Sequence, residues 1–277
     1  MTITTAETLT ANGVVLNTLA YNVASIAGRL RTPPKRGDNL PVAGRHGALR
    51  TRRKRFDAGE VVLPMWVVGA DEDGLPPTET SGRARFFANY DQLVRVFSAD
   101  TVELVHTLPD GTSRRCIGEV TDTLDPEVRG SIPGGKFSVA LQVPGAFWED
   151  ADTVATSRVH GVGTHGCAEF AGATAPMDDL AVSFVGPANN PHVACGDVWV
   201  SYLDVLDAGQ SVTVDAGTWT ITGSGVSADY GRLRYGGDTR WFVLDPADPA
   251  PQVTVSTTDA ADSPQTVLTG RRKFLTG

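Results

Sequence analysis

Apolar and polar positions alternate with a period of two through most of the chain and follow a helical period in one stretch. In KFSVALQVP, Phe137, Val139, Leu141 and Val143 alternate with Lys136, Ser138, Ala140 and Gln142, which predicts a strand with one face in water. EVVLPMWVVG is apolar almost throughout and predicts a strand buried on both faces. TVELVHTL, closed by the turn PDG, and RRCIGEVTD read as further strands. GVVLNTLAYNVASIAGRL predicts one or two short ones that bury Val15, Leu19, Tyr21 and Val23. The exception is RARFFANYDQLVRVFSAD, where Phe86, Tyr90, Leu93, Val94 and Phe97 recur at helical spacing with no Gly or Pro between Arg83 and Ala99. That spacing predicts a helix at about residues 83–98.

Pro, Gly and acidic residues in PGAFWEDADTVATS interrupt the pattern and place a domain boundary near residue 150, giving domains 1–150 and 151–277. Beyond it, DLAVSFVGP, DVWVSYLDV, QSVTVDAG, TWTITGSG, RWFVLDP, PQVTVST and RRKFL read as short strands separated by turns. Strands at such intervals predict an antiparallel sandwich or jelly roll. The expected fold is mainly β: a sandwich with one helix, followed by a second sandwich.

Composition agrees, since 30 Gly and 17 Pro in 277 residues favour many short elements. Charge changes the picture. The net charge is -8, yet ten of the 24 Lys and Arg residues lie between Arg29 and Arg55 with Asp38 as the one acid, so this stretch carries about +9 and the remainder about -17. The stretch RTPPKRGDNLPVAGRHGALRTRRKRF is rich in Pro and Gly and poor in large apolar residues. It is expected to form a long arm rather than a core element. Its Arg45, Arg50, Arg52, Arg53, Lys54 and Arg55 are the candidate functional residues. Three readings compete: phosphate binding, a solvated face, and contact with the acidic surface of a second copy. Nucleic acid is not expected, because aromatic residues that stack on bases are missing from the arm until Phe56 and no groove-reading motif accompanies it. A strongly basic segment on an acidic body is self-complementary, which favours head-to-tail association. The tripeptide RGD, Arg36–Asp38, carries too little information to use.

Little else suggests chemistry. The stretch MTITTAETLTANG has neither a basic start nor an apolar core, so no secretory signal is expected, and no apolar run approaches a membrane span. Cys116, Cys167 and Cys195 are odd in number and lack CxxC spacing, so reduced thiols are expected. No Gly-x-Ser-x-Gly elbow or phosphate-binding loop occurs. The nearest approach to a metal set is His160, His165 and Cys167, with His192 and Cys195 further on. Their spacing matches no zinc pattern, and a buried thiol beside a half-exposed ring is the expected arrangement. The acidic groups Glu149–Asp150–Asp152 and Asp178–Asp179 are expected to be solvated. No metal, cofactor or enzymatic activity is expected.

The order of features resembles the distal tail proteins of long-tailed, non-contractile bacteriophages, often minor tail proteins of phages with actinobacterial hosts. LNTLAYNVASIAG is followed by the basic arm with LPVAGRHGALR, the apolar strand EVVLPMWVVG, the helix containing NYDQLVRVF, and KFSVALQVPGAFWED. The second half is similar through VSFVGPANNP, SYLDVLDAGQSVTVDAG and RWFVLDP. The resemblance implies that the second sandwich is galectin-like and that the first domain assembles into a ring of six copies at the tail tip. The ring would join the tail tube protein and tape measure protein to the baseplate hub. The protein would then be a structural part of the virion tail tip, made in the host cytoplasm, with its arm at subunit contacts. The alternative is a carbohydrate-binding module for host wall glycans, suggested by Trp199, Tyr202, Trp219, Tyr230, Tyr235 and Trp241.

Overall fold

A computed structural model describes residues 7–24, 30–37, 40–41, 48–49, 55–75, 81–122, 124–128, 133–152, 158–237, 242–247, 249–259 and 264–277. Strands dominate, and one α-helix occurs among the described residues. The chain forms two compact units, Met1–Ala151 with Leu275–Gly277, and Asp152–Phe274.

In the first unit, antiparallel strands run in the order Val14–Val15, Thr8–Ala11, Val102–Thr107, Ser113–Val120, Gly134–Val143, Gly59–Val68, Tyr21–Val23. The strand Ser113–Val120 serves two sheets. Its start pairs with Trp148–Asp150 through Arg114 and Arg115, whereas its end pairs with Gly134–Val143 through Glu119 and Val120. A strand that changes partners in this way turns a corner and lets two sheets enclose a core. The longest ladder joins Gly59–Val68 to Gly134–Val143, from Gly134 opposite Val68 to Val143 opposite Gly59. Strand pairing places Val61, Leu63, Met65 and Val67 beside Phe137, Val139, Leu141 and Val143, all buried. Gly59–Val68 was expected to be covered on both faces. It alternates instead, because Glu60 and Trp66 on the other face lie open to solvent.

The helix, Gly82–Phe97, covers the buried face. Ser81 caps it, its Oγ accepting a hydrogen bond from the Ala84 amide at 3.2 Å. Phe86, Leu93, Val96 and Phe97 supply the apolar stripe, and Asn89 is buried among them. The Asn89 side-chain amide donates to the carbonyls of Val68 and Ala70, both at 2.8 Å, fastening the helix to the end of the long strand. At Gly69 a Cβ would stand 1.8 Å from the Gly82 carbonyl oxygen, so the approach of helix start to strand end requires glycine there.

Val15 and Leu19 are exposed and Leu16 is buried in their place. Val14–Val15 follows a two-residue turn at Asn12–Gly13, with φ of 47° and 78°, which makes an edge hairpin of this segment and reverses the expected inward face.

The second unit is a sandwich of two five-stranded antiparallel sheets. One has the order Arg158–His160, Gln265–Thr269, Ala181–Val185, Ser211–Asp215, Thr220–Ser224; the other Gly163–Gly166, Gln252–Ser256, His192–Cys195, Val198–Tyr202, Leu233–Gly236. Residues from both sheets meet in one core that includes Phe170, Phe184, Tyr202, Phe242 and Leu268. RWFVLDP does not form the expected strand among its described residues. Phe242 and Val243 are buried, and Leu244 makes a single bridge to Met177.

Candidate functional site

The basic arm belongs to the first unit. Of its candidate residues, Arg55 is described, and Arg45, Arg50, Arg52, Arg53 and Lys54 lie outside the described residues. The described parts form a ladder rather than an irregular loop: Lys35–Arg36 pairs antiparallel with Arg55–Phe56, and Leu40–Pro41 with Ala48–Leu49. The ladder bonds satisfy backbone groups that a sequence with few apolar side chains has no core to shelter.

The base of the ladder is held by apolar and ionic contacts. Phe56 meets Phe147 edge-on with centroids 5.2 Å apart, and Lys35 Nζ lies 5.3 Å from the Phe56 ring centre. The Asp57 amide donates to the Pro34 carbonyl at 2.8 Å, and Arg31 pairs with Glu60. The one aromatic ring of the arm is thus engaged by the protein itself. Lys35, Arg36 and Arg55 point outward, exposed to solvent.

The acidic groups are not simply solvated. Trp148–Asp150 is a strand, Asp150 is buried, and Glu149 joins Glu103 on either side of Arg115, each with a contact of 2.8 Å. Asp178 and Asp179 reach Lys273 Nζ at 2.8 and 3.1 Å, and Lys273 is itself buried. No local pattern reveals these cations, because Arg115 lies 12 and 34 positions from its carboxylates and Lys273 lies 95 from Asp178.

Histidine and cysteine sort differently from the expectation. His160 and Cys167 come together, with Cys167 Sγ 3.8 Å from His160 Nε2. The third member is Glu169, its Oε1 3.0 Å from the same nitrogen. The His165 ring lies 5.6 Å from that of His160, and its Nε2 donates to the Gly161 carbonyl at 2.8 Å. His192 stands elsewhere, against Trp199 at 5.4 Å. Cys116 and Cys195 have thiols pushed up from their ordinary pKa chiefly by burial, which disfavours the reactive thiolate. Sulfur and carboxylate share one ring nitrogen of His160. A nucleophile–base–acid relay needs both ring nitrogens, so this group is not built as one.

Of the second-half aromatic residues, Tyr202 is buried and Trp199 half-buried, Trp241 lies outside the described residues, and Trp219, Tyr230 and Tyr235 are exposed. In the first unit a groove of about 340 Å³ opens beside Trp66, walled by Pro64, Asp125, Glu127, Lys136 and Ser138.

No protein-family model matches the chain, and no curated protein sequence matches it. Solved structures do. The Dit protein (gp 19.1) of phage SPP1, described as a paradigm of the hub adsorption apparatus in phages that infect Gram-positive bacteria, overlies it with a TM-score of 0.63 at 12% identity. The overlay covers 96% of this chain and 99% of that one. The chain has the Dit fold. Coverage of this extent takes in both units, so the likeness to Dit is not that of one common sandwich. Two structures of the phage P2 baseplate in its activated conformation, with strontium and with calcium, share 7% and 9% identity at TM-scores of 0.40 and 0.41. They cover 96% and 97% of this chain and 98% of theirs, with scores too low to bear on the Dit fold.

Proposed function

We propose that the chain is a structural component of a phage tail tip; SPP1 Dit, whose fold it shares, is described as a paradigm of the hub adsorption apparatus. The observation that carries this reading is the Dit fold over nearly the whole chain. The basic arm adds a physical reason for self-association. In this reading residues 1–150 close into a ring of six copies and residues 151–277 form a galectin-like domain that carries no catalysis. The ring joins the tail tube and tape measure proteins to the baseplate hub in the virion. Ring closure comes from sheet-edge and apolar contacts, for which Trp66 and Val128 are open, with the arm fixing register by charge.

Negative-stain imaging of the purified protein, and of antibody-labelled tails, tests this. Six-fold rings at the tail tip are expected. A monomer at every concentration, with label elsewhere on the virion, overturns the reading.

A second reading, glycan binding by residues 151–277, rests on exposed Trp219, Tyr230 and Tyr235. Trp219 also sits at φ 58°, a backbone region unfavourable for a bulky side chain. Titration with host wall glycans distinguishes this reading, since a purely structural domain binds none.

A further inference from the structure

We propose that His160, Cys167 and Glu169 together bind one divalent cation of the zinc class within the second unit. The three arrive from different elements. His160 ends the strand Arg158–His160 of one sheet, Cys167 follows the strand Gly163–Gly166 of the other, and Glu169 lies on the 3₁₀ turn Ala168–Phe170. Their donor atoms all lie within 4.8 Å of one another. Two of the separations are 3.0 Å and 3.8 Å. A tetrahedral zinc ion, with its bonds to nitrogen, sulfur and oxygen, sets donor atoms about 3.3–3.7 Å apart, so small shifts bring these three into register.

Burial makes the case stronger than proximity does. His160 is 2% and Cys167 0% exposed, and the Glu169 side chain is 8% exposed. Glu169 Oε2 is buried with no hydrogen-bond partner. An ion pair between His160 and Glu169 uses Oε1 and leaves Oε2 unsatisfied, which is costly for a buried charged group. A cation at the meeting point of the three side chains takes up that oxygen. It also balances charge: thiolate and carboxylate together carry two negative charges, and the imidazole binds as the neutral ring.

The donor set selects the metal. Calcium and magnesium prefer shells made of oxygen, whereas one sulfur, one imidazole nitrogen and one carboxylate suit zinc or cobalt. The His165 Nε2 donates to the Gly161 carbonyl, so the donor set is the three side chains His160, Cys167 and Glu169. The ion would tie the turn Ala168–Phe170 to a strand of the opposite sheet. This inference stands independently of the tail-tip reading.

The test uses the full chain after treatment with chelator. Titration with cobalt(II) is expected to show one equivalent bound, with the intense visible bands of a four-coordinate ion and a near-ultraviolet thiolate charge-transfer band, both abolished by added zinc. Cys167→Ser should lose the charge-transfer band. Glu169→Gln keeps a partner for His160 and so preserves the fold. It should weaken zinc binding at least about tenfold, the loss that even an outer-sphere partner's removal causes, and should abolish the rise in Tm that zinc gives the unaltered chain. His192→Asn should bind as the unaltered chain does. Absence of stoichiometric cobalt binding, binding without a thiolate band, or equal affinity in Glu169→Gln overturns the proposal.

Discussion

Lys273 shows how a single buried cation is kept charged. Burial alone drives its pKa down, but Asp178 and Asp179 outweigh that through charge and hydrogen bonds, and the net shift is upward. A folded-state pKa above the unfolded value means that the stabilisation is present in full below the unfolded pKa, about 10.4, and is lost as pH rises through the folded one. Urea unfolding of the unaltered chain should therefore lose stability above about pH 10.4, and Lys273→Met should flatten that part of the profile. Replacing both aspartates by asparagine removes the two charges that hold the ammonium's pKa up and should lower stability near neutral pH. Identical alkaline profiles for the unaltered chain and Lys273→Met would show that the pair contributes nothing. Asn89 is the neutral counterpart: a buried polar group whose two bonds to Val68 and Ala70 are what permit it a place in an apolar stripe.

At the scale of elements, helix and arm differ in how far local pattern determined them. The helix was visible in Phe86, Leu93 and Phe97, and its observed bounds, Gly82–Phe97, differ by one residue at each end from the expectation, because Ser81 and Ser98 are the caps and stand outside it. The arm showed itself only by what it lacks. A long loop was expected, and the described residues instead form ladder pairs fastened at Phe56 and Phe147. Reversing Arg52, Arg53, Lys54 and Arg55 to Glu should leave this base, and the fold, intact while weakening association. Circular dichroism should be unchanged and light scattering at moderate salt should report a smaller particle. The same particle before and after would remove the arm from assembly. The Asn12–Gly13 hairpin is legible in the sequence: Asn-Gly between apolar runs is among the plainest hairpin signals.

Across the whole molecule, an excess of about +9 on one segment opposes about -17 on the rest. Under the proposed self-association, attraction between copies through these charges should weaken as the Debye length falls from about 10 Å at 0.1 M salt to about 3 Å at 1 M. Sedimentation across that range should show the assembly shrinking as salt rises, and the charge-reversed variant should show little dependence. Salt-independent assembly would point to apolar contacts alone.

The period of apolar side chains by itself determined the mainly β character, the one helix and the buried face of Gly134–Val143, since each is a property of neighbours in sequence. Composition alone also determined the uneven charge. Tertiary structure decided what depends on distant residues meeting. It left Trp66 open on a strand that reads as apolar throughout, returned Leu275–Gly277 to the first unit, and gathered His160, Cys167 and Glu169 around one point. Glu169 stood in no metal-ligand spacing, and only the meeting of two sheets with a 3₁₀ turn gave it partners. Sequence period reports which way a side chain points, and the partner it finds there is set by loop closures that no local pattern encodes.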